Sequence, residues 1–367
     1  MPEQIELYLL TKAQLRERRQ PADWKDPENI TQVPKHHRPF LIDNPLSHSD
    51  DDPVRAYVLV DKQIGGRLGL LVGEVAVDGR PLPVLWAFDL YVSRAFRGRG
   101  LATRLIRCWQ DAHHTAVGMH VNLESVGIYR KLGWVEFKTP NLYQIRSSRK
   151  FVEGYVSLSL AGAMIAPLVD AGLALRRGLG RLTGGGPRRG LVARRAAEMP
   201  ASLDETLGRR RKGVATHRSA AWVNWGLRAT EHLDGVDCRL YLVDDGRGQT
   251  VGYFILHLRT MPRMRGRFKD IPVASIRDWD IFDETRADLA SLLALASAES
   301  RAWGAAAILA TVPDPEAEGV LRRLGYRSMR PLYTLFHAAP PSPLVEERFK
   351  DARVWRYSTA DDDGLLI

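Results

Sequence analysis

The loop Arg97-Gly98-Arg99-Gly100-Leu101-Ala102-Thr103 carries the clearest chemical signature in this chain. It follows the apolar run Leu90-Tyr91-Val92 and leads straight into a helical pattern. Two glycines leave the backbone N–H groups unobstructed, and a helix starting directly after them aims its first amides and its dipole at the same point. The arginines add bidentate donors for phosphate oxygens. Such a loop is a pyrophosphate cradle. Groups that can accept a proton lie on either side of it in sequence: Asp89 before the strand's last residues, Glu74 on the preceding strand, and His113, His114 and His120 after the helix. Each of these also has a plain structural or surface reading. The His113-His114 pair has no carboxylate or cysteine at ligand spacing, so no metal is assigned.

These residues must be positioned by the elements around them. Ile5 to Leu10 reads as a strand, Lys12 to Arg19 as a charged helical stretch, and the residues through Pro45 as polar turns. From Ala56 to Val92, three apolar runs separated by a Gly65-Gly66 turn and an Asp78-Gly79 turn predict an antiparallel meander. After the cradle, Leu101, Leu105, Ile106 and Trp109 give a helix its apolar stripe. Thr115 to Leu123 is the next strand, Glu124 to Leu132 a short helix capped by Gly133, and Trp134 to Phe137 another strand. That order is an α/β (α+β) layer with a mixed, mostly antiparallel sheet flanked by helices.

A second unit from Arg218 repeats the first. Leu240–Val243, Val251–Leu258 and Ala274–Asp280 echo the strands, and Leu289 to Ala296 the helix. Arg322-Arg323-Leu324-Gly325-Tyr326-Arg327 parallels Arg130-Lys131-Leu132-Gly133-Trp134-Val135. Such a repeat predicts two tandem copies of one fold, with a domain at 1–150, a connector at 151–217, a second domain at 218–340 and a C-terminal tail at 341–367.

Charge sits unevenly. The chain of 367 residues carries a net +10, and Arg176 to Arg218 alone holds twelve basic against three acidic residues. The excess belongs to the connector, a flexible piece centred on Thr183–Gly190. Without interleaved aromatics it is a poor platform for bases, which argues against nucleic acid as the partner. The apolar window Val156 to Leu175 contains Pro167 and Asp170 and reads as an interdomain packing helix, with peripheral membrane contact through 156–182 as its alternative. Two distant cysteines, Cys108 and Cys238, and an N-terminus without a secretion pattern point to the cytoplasm, with membrane association left open.

Three segments of the first unit resemble the GNAT N-acetyltransferase superfamily: the cradle Arg97 to Ala102, the preceding Asp89-Leu90-Tyr91-Val92, and Asn122-Leu123-Glu124-Ser125-Val126-Gly127-Ile128-Tyr129-Arg130-Lys131-Leu132-Gly133-Trp134. They stand in the family's order across roughly residues 56–145. The resemblance implies acetyl-CoA or another acyl-CoA as co-substrate. Its pyrophosphate would lie on the amides from Arg97 through Gly98, Arg99, Gly100, Leu101 and Ala102 to Thr103. Its pantetheine would run along Leu90, Tyr91 and Val92, and Asn122 would sit near the thioester. Tyr129 matches the family's general acid, and Asp89 and Glu74 are the candidate bases. The implied activity is acyl transfer to a primary amine by direct attack.

The second copy departs from this pattern. Glu284-Thr285-Arg286-Ala287-Asp288 replaces the basic loop, and the position matching Tyr129 is Leu321, so it reads as degenerate. Its opening, Arg218-Ser219-Ala220-Ala221-Trp222-Val223-Asn224-Trp225, resembles a motif of two-domain members linked to polysaccharide biosynthesis, which implies an acceptor such as an amino sugar. Two other readings stay open: a regulatory module that binds coenzyme A without turnover, and a polyanion-binding protein acting through the connector.

Overall fold

The structure, a computed structural model, describes residues 4–17, 24–32, 37–113, 115–121, 123–149, 151, 166–175, 190–207, 213–231, 233, 235–261, 270–312 and 314–356. These form two mixed, mostly antiparallel sheets flanked by helices. The 183–189 part of the connector, Asn122 and His114 lie outside the described residues.

The first sheet begins with β1 (Ile5–Thr11), β2 (Pro53–Val60), β3 (Gln63–Val77) and β4 (Arg80–Val92), an antiparallel meander. Its first tight turn is at Asp61-Lys62, both at positive φ, and not at Gly65-Gly66, which lie inside β3. The second is at Asp78-Gly79, as the sequence predicts. Both turns have the left-handed geometry that matches strand twist. On one face lie α1 (Lys12–Glu17) and α2 (His37–Ile42); the latter replaces the turns expected there, being too short and too marked by Pro39 to show a helical period. On the other face lie α3 (Leu101–Ala112) and α4 (Leu123–Lys131), with Leu105, Ile106, Trp109, Val126 and Tyr129 packed on Ala56, Val58 and Leu85.

The last strands of the two units are exchanged. After β5 (Thr115–Val121) and β6 (Val135–Thr139) comes β7 (Asn141–Ile145), and only Pro140 separates β6 from β7. A hairpin takes at least two loop residues, so β7 cannot fold back on β6. It crosses into the second sheet and pairs with β13 (Ala307–Thr311). In return, β15 (Leu332–Ala338) fills the gap between β5 and β6. The first sheet therefore runs β1-β2-β3-β4-β5-β15-β6. The second contains β8 (Val192–Ala196), β10 (Val236–Asp244), β11 (Thr250–Met261), β12 (Ile271–Ile281) and β14 (Arg327–Ser328) in the order β14-β7-β13-β12-β11-β10-β8.

β7, from residues 1–150, thus lies in the second sheet, and β15, from residues 218–340, in the first. Part of the connector is ordered, as β8 in the second sheet and β9 (Val214–Thr216) on the edge of β3. The segment after residue 340 is built into the first core through Leu344, Phe349 and Trp355, and β16 (Trp355–Arg356) pairs with β9.

One helix joins the two halves. α5 (Ala220–Thr230) is capped by the Ser219 hydroxyl, which accepts from the Trp222 amide. Trp222, Trp225 and Ala229 belong to the core of the first sheet, and Ala220 and Val223 to that of the second. The Trp225 ring stacks on Phe40 at 4.2 Å, and its indole N–H donates to the Phe40 carbonyl at 3.1 Å. The helix is buried on two faces, while Ala221 and Arg228 keep one edge in solvent. Beyond the second sheet lie α6 (Leu289–Ala302) and α7 (Pro315–Arg323), packed on Phe254, Ala274 and Ile308.

Residues 166–175 form a helix that leaves Leu168 and Leu175 exposed, while the Asp170 carboxylate accepts from the Ser148 amide at 2.6 Å. No helix among the described residues is long and apolar enough to cross a membrane.

Candidate active site

The parallel strands β4 and β5 pair only from Leu85–Ala87 to Ala116–Gly118. Beyond that point β4 continues to Val92 along β3, and β5 continues to Val121 along β15. The two strands part, and a cleft opens between Phe88–Val92 and Met119–Val121. A bulge sits at its start: Asp89 and Leu90 oppose Leu68 alone, with Asp89 at φ +52°. A bulge leaves backbone groups out of the ladder and re-aims the strand. The half-buried run Leu90, Tyr91 and Val92 lines this lip with backbone groups that the ladder to β5 does not use.

The cradle stands at the end of the same strand. Gly98 and Gly100 have φ of +82° and +75°, with nothing within 4 Å of where a Cβ would be. Gly100 caps α3 without a side chain, and the first amide to find a helical partner is that of Arg104, on the Gly100 carbonyl at 3.2 Å. The amides of Leu101, Ala102 and Thr103 therefore point outward, as the first turn of any helix requires. Arg97 donates to the Val92 carbonyl at 3.3 Å, and Arg99 lies over the Phe96 ring, so both guanidiniums stay at the loop surface. The turn follows the lip strand β4 after the short segment Ser93–Phe96.

The second unit gives an internal comparison. There the Asp288 carboxylate caps α6 by accepting from the Ser291 amide at 2.7 Å. The turn that could hold an anion is filled by one of the chain's own. Leu321, at the position of Tyr129, is fully buried in the second core.

Tyr129 lies on α4 with its ring edge-on to Trp109 and Trp134, at 6.4 and 5.1 Å. It is 3% exposed, and burial pushes its ionisation well above the usual phenol range. Among the described residues its hydroxyl has no hydrogen-bond partner. It is a phenol that keeps its proton.

The two carboxylates named as bases are placed otherwise. Asp89 is held by both forks of Arg67, at 2.8 and 3.0 Å, with Arg55 at 3.6 Å. These contacts tie the bulge to β3 and occupy both carboxylate oxygens. Glu74 stands opposite Pro83, seven residues upstream of Leu90 and so about 20 Å from the lip along the strand. Its partner there is His217 at 3.7 Å. His113 is also remote, its Nδ1 accepting from the Thr115 amide at the far end of β5. No group of three metal-ligating side chains gathers among the described residues.

Sequence reasoning missed Glu28. It is fully open to solvent, yet its carboxylate accepts from the Ser93 hydroxyl at 2.6 Å and the Tyr91 hydroxyl at 2.7 Å, and these bonds lower its pKa. Glu28 thereby ties the loop at 24–31 to the lip of the cleft. An isolated Glu in a Pro-containing loop gives no sequence signal of that role.

The opening motif of the second unit is absorbed by packing. Arg218 forms a buried bidentate pair with Asp278 at 2.9 and 3.1 Å, and the Tyr253 hydroxyl donates to the same carboxylate at 2.7 Å. Asn224 bonds the backbone of Met199 in both directions. With Ser219, Trp222 and Trp225 already placed, nearly the whole motif fastens α5 between the sheets.

Residues 53–136 match the family model for an acetyltransferase (GNAT) domain. No curated protein matches the sequence. Among solved structures, the chain is similar to a probable N-acyltransferase of Enterococcus faecalis, with a TM-score of 0.54, 11% identity and coverage of 92% of this chain and 72% of that one. It is similar to a GCN5-related N-acetyltransferase of Anabaena variabilis, with a TM-score of 0.54, 13% identity and coverage of 91% and 72%. A Saccharomyces cerevisiae N-myristoyltransferase with bound myristoyl-CoA aligns with a TM-score of 0.50, 12% identity and coverage of 80% and 71%. The cleft and cradle lie inside the segment, residues 53–136, that matches the GNAT acetyltransferase domain, and the solved structures share its fold. Its fold is that of an acetyltransferase.

Proposed function

We propose that this protein is an acyl-CoA-dependent N-acyltransferase whose one competent coenzyme A site is the β4–β5 cleft with the Arg97–Thr103 cradle. The observation that carries this reading is the contrast between the two helix starts, α3 with a bare glycine cap beside an open cleft and α6 with its turn filled by Asp288. Acetyl-CoA is the simplest donor for such a site. The amides of Leu101, Ala102 and Thr103 would hold the pyrophosphate, and the lip Leu90–Val92 the pantetheine.

In the reaction the neutral amine attacks the thioester carbonyl carbon, a C–N bond forms and the C–S bond breaks. The sulfur takes a proton from Tyr129, the amide nitrogen loses one to water, and the phenol is restored from solvent. Because burial favours the protonated phenol, its transfer comes late, as charge collects on sulfur. With Asp89 engaged and Glu74 remote, deprotonation of the amine falls to water. The small-molecule amine, with an amino sugar among the candidates, comes in from the face carrying α1 and α2. The C-terminal unit completes the first sheet with β15 and walls that face with α5.

The test is calorimetry with acetyl-CoA beside a thiol-release assay over a panel of amines. Saturable binding with thiol release is expected. Tight binding with no release from any amine would make the chain a coenzyme A-binding regulatory module instead.

A further inference from the structure

Arg55 is the one charged residue in the otherwise apolar strand β2, and it is fully buried at 0% exposure. Its Nε, Nη1 and Nη2 all lack a hydrogen-bond partner among the described residues. The Tyr57 hydroxyl, two residues along the same face, is also sealed; Arg55 lies beside it, and no group among the described residues meets hydrogen-bond geometry with it. Buried N–H groups left unbonded are costly, and a guanidinium carries five of them. Two carboxylates are near. Asp89 contacts Arg55 at 3.6 Å, beyond hydrogen-bond range, and is already held by Arg67. Asp26, whose charge reaches Tyr57, has both oxygens taken by the Ile30 amide and by the amide and hydroxyl of Thr31, at 2.6 to 2.8 Å.

This niche lies on the α1–α2 face, one carboxylate away from the bulge that starts the cleft. Two guanidiniums stand against two carboxylates, so there is no surplus charge for a dianion. What is missing is acceptor oxygens, and a planar carboxylate supplies two at the spacing of an arginine fork.

We propose that Arg55 and the Tyr57 hydroxyl bind a carboxylate carried by the amine acceptor itself, so that this face selects amines that are also acids. The inference rests on the acyl-transfer reading above. Asp89 then stands between the bound carboxylate and the thioester, where it would attract the acceptor's ammonium before the amine is deprotonated.

The test takes amino acids with one to four carbons between amine and carboxylate, each beside its own amide, on the full chain. Thiol release from acetyl-CoA gives kcat/KM, and calorimetry gives binding. At least one acid is expected to exceed its amide by tenfold or more in kcat/KM, chiefly through KM. Arg55→Met and Tyr57→Phe should each shrink that ratio severalfold, whatever their absolute rates, and Arg55→Lys should restore part of it. A wild-type ratio near one, or a ratio unchanged in both variants, overturns the proposal and leaves the niche to water. Tyr57→Phe removes a single oxygen and keeps the test open should Arg55→Met fail to fold. If no amine releases thiol while acetyl-CoA still binds, the acyl-transfer reading fails by itself, and the binding arm decides here. Tenfold tighter binding of an acid than its amide would then still support the carboxylate site, and equal or undetectable binding would overturn it.

Discussion

The proposed site rests on Gly100 and Tyr129. Gly100 combines a left-handed backbone with open space above it, so its substitution acts twice. Gly100→Ala should cost about 1–2 kcal/mol in backbone strain, read as a lower denaturation midpoint. It should also weaken acetyl-CoA binding by more than tenfold in calorimetry. Tyr129→Phe removes one hydroxyl from a packed aromatic cluster without changing its shape. Turnover should drop by about 10²-fold or more, with acetyl-CoA affinity kept within a few-fold. Because burial raises the phenol's pKa, wild-type kcat should not fall from tyrosine ionisation as pH rises to about 10, the ordinary phenol value. A fall in kcat with a midpoint near pH 8 or 9 that vanished in Tyr129→Phe would contradict that placement.

At the scale of elements, the second unit contains a group that makes it sensitive to acid. His257 on β11 is 1% exposed, and its Nδ1 accepts from Arg277 at 3.3 Å. Burial, and then the charges of Arg277 and Arg259, bring its pKa down from 6.5 to about 3. The folded chain therefore holds a neutral imidazole while the unfolded chain takes a proton. Stability present above pH 6.5 is lost as pH falls towards 3, by about 1.4 kcal/mol for each pH unit in that window. Urea midpoints at pH 7, 5 and 4 should decline, and His257→Gln should flatten the decline. The α5 helix is the other vulnerable element. Arg218→Met strands the Asp278 carboxylate in a buried site, a change that costs about 3–5 kcal/mol. A thermal midpoint within a degree or two of wild type would show that water reaches Asp278.

The exchange of β7 and β15 makes the molecule one folding unit. Without β15, the first sheet loses the strand between β5 and β6, with Leu335 and Phe336, each worth about 1.5–3 kcal/mol of burial. Residues 1–217 expressed alone should aggregate or stay unfolded, and so should 218–367. Expressed together, the two pieces should copurify and bind acetyl-CoA. A stable, coenzyme A-binding 1–217 fragment would show that the exchange is dispensable. The contrast between a bare and a filled helix start also belongs to this scale. The second unit supplies the strand β15 and the helix α5 to the first sheet and its core.

The glycine-rich turn and the helices around it were legible in the sequence because they depend on neighbours a few residues apart. A glycine-rich basic turn, an apolar stripe at helical spacing and a Gly after a short helix act locally, and so does the acidic replacement in the second copy. Tertiary structure alone decided the rest. Asp89 is held by Arg67, 22 residues earlier on a neighbouring strand, a pairing no local pattern shows. Strand register places Glu74 opposite Pro83, away from the lip. Arg55, buried with unmet donors, is only a charge in an apolar run until the sheet is assembled. The strand exchange follows from a single residue, Pro140, but its destination was fixed by which sheet edge stood open. Long-range pairing has no period along the chain, and it is long-range pairing that built this cleft.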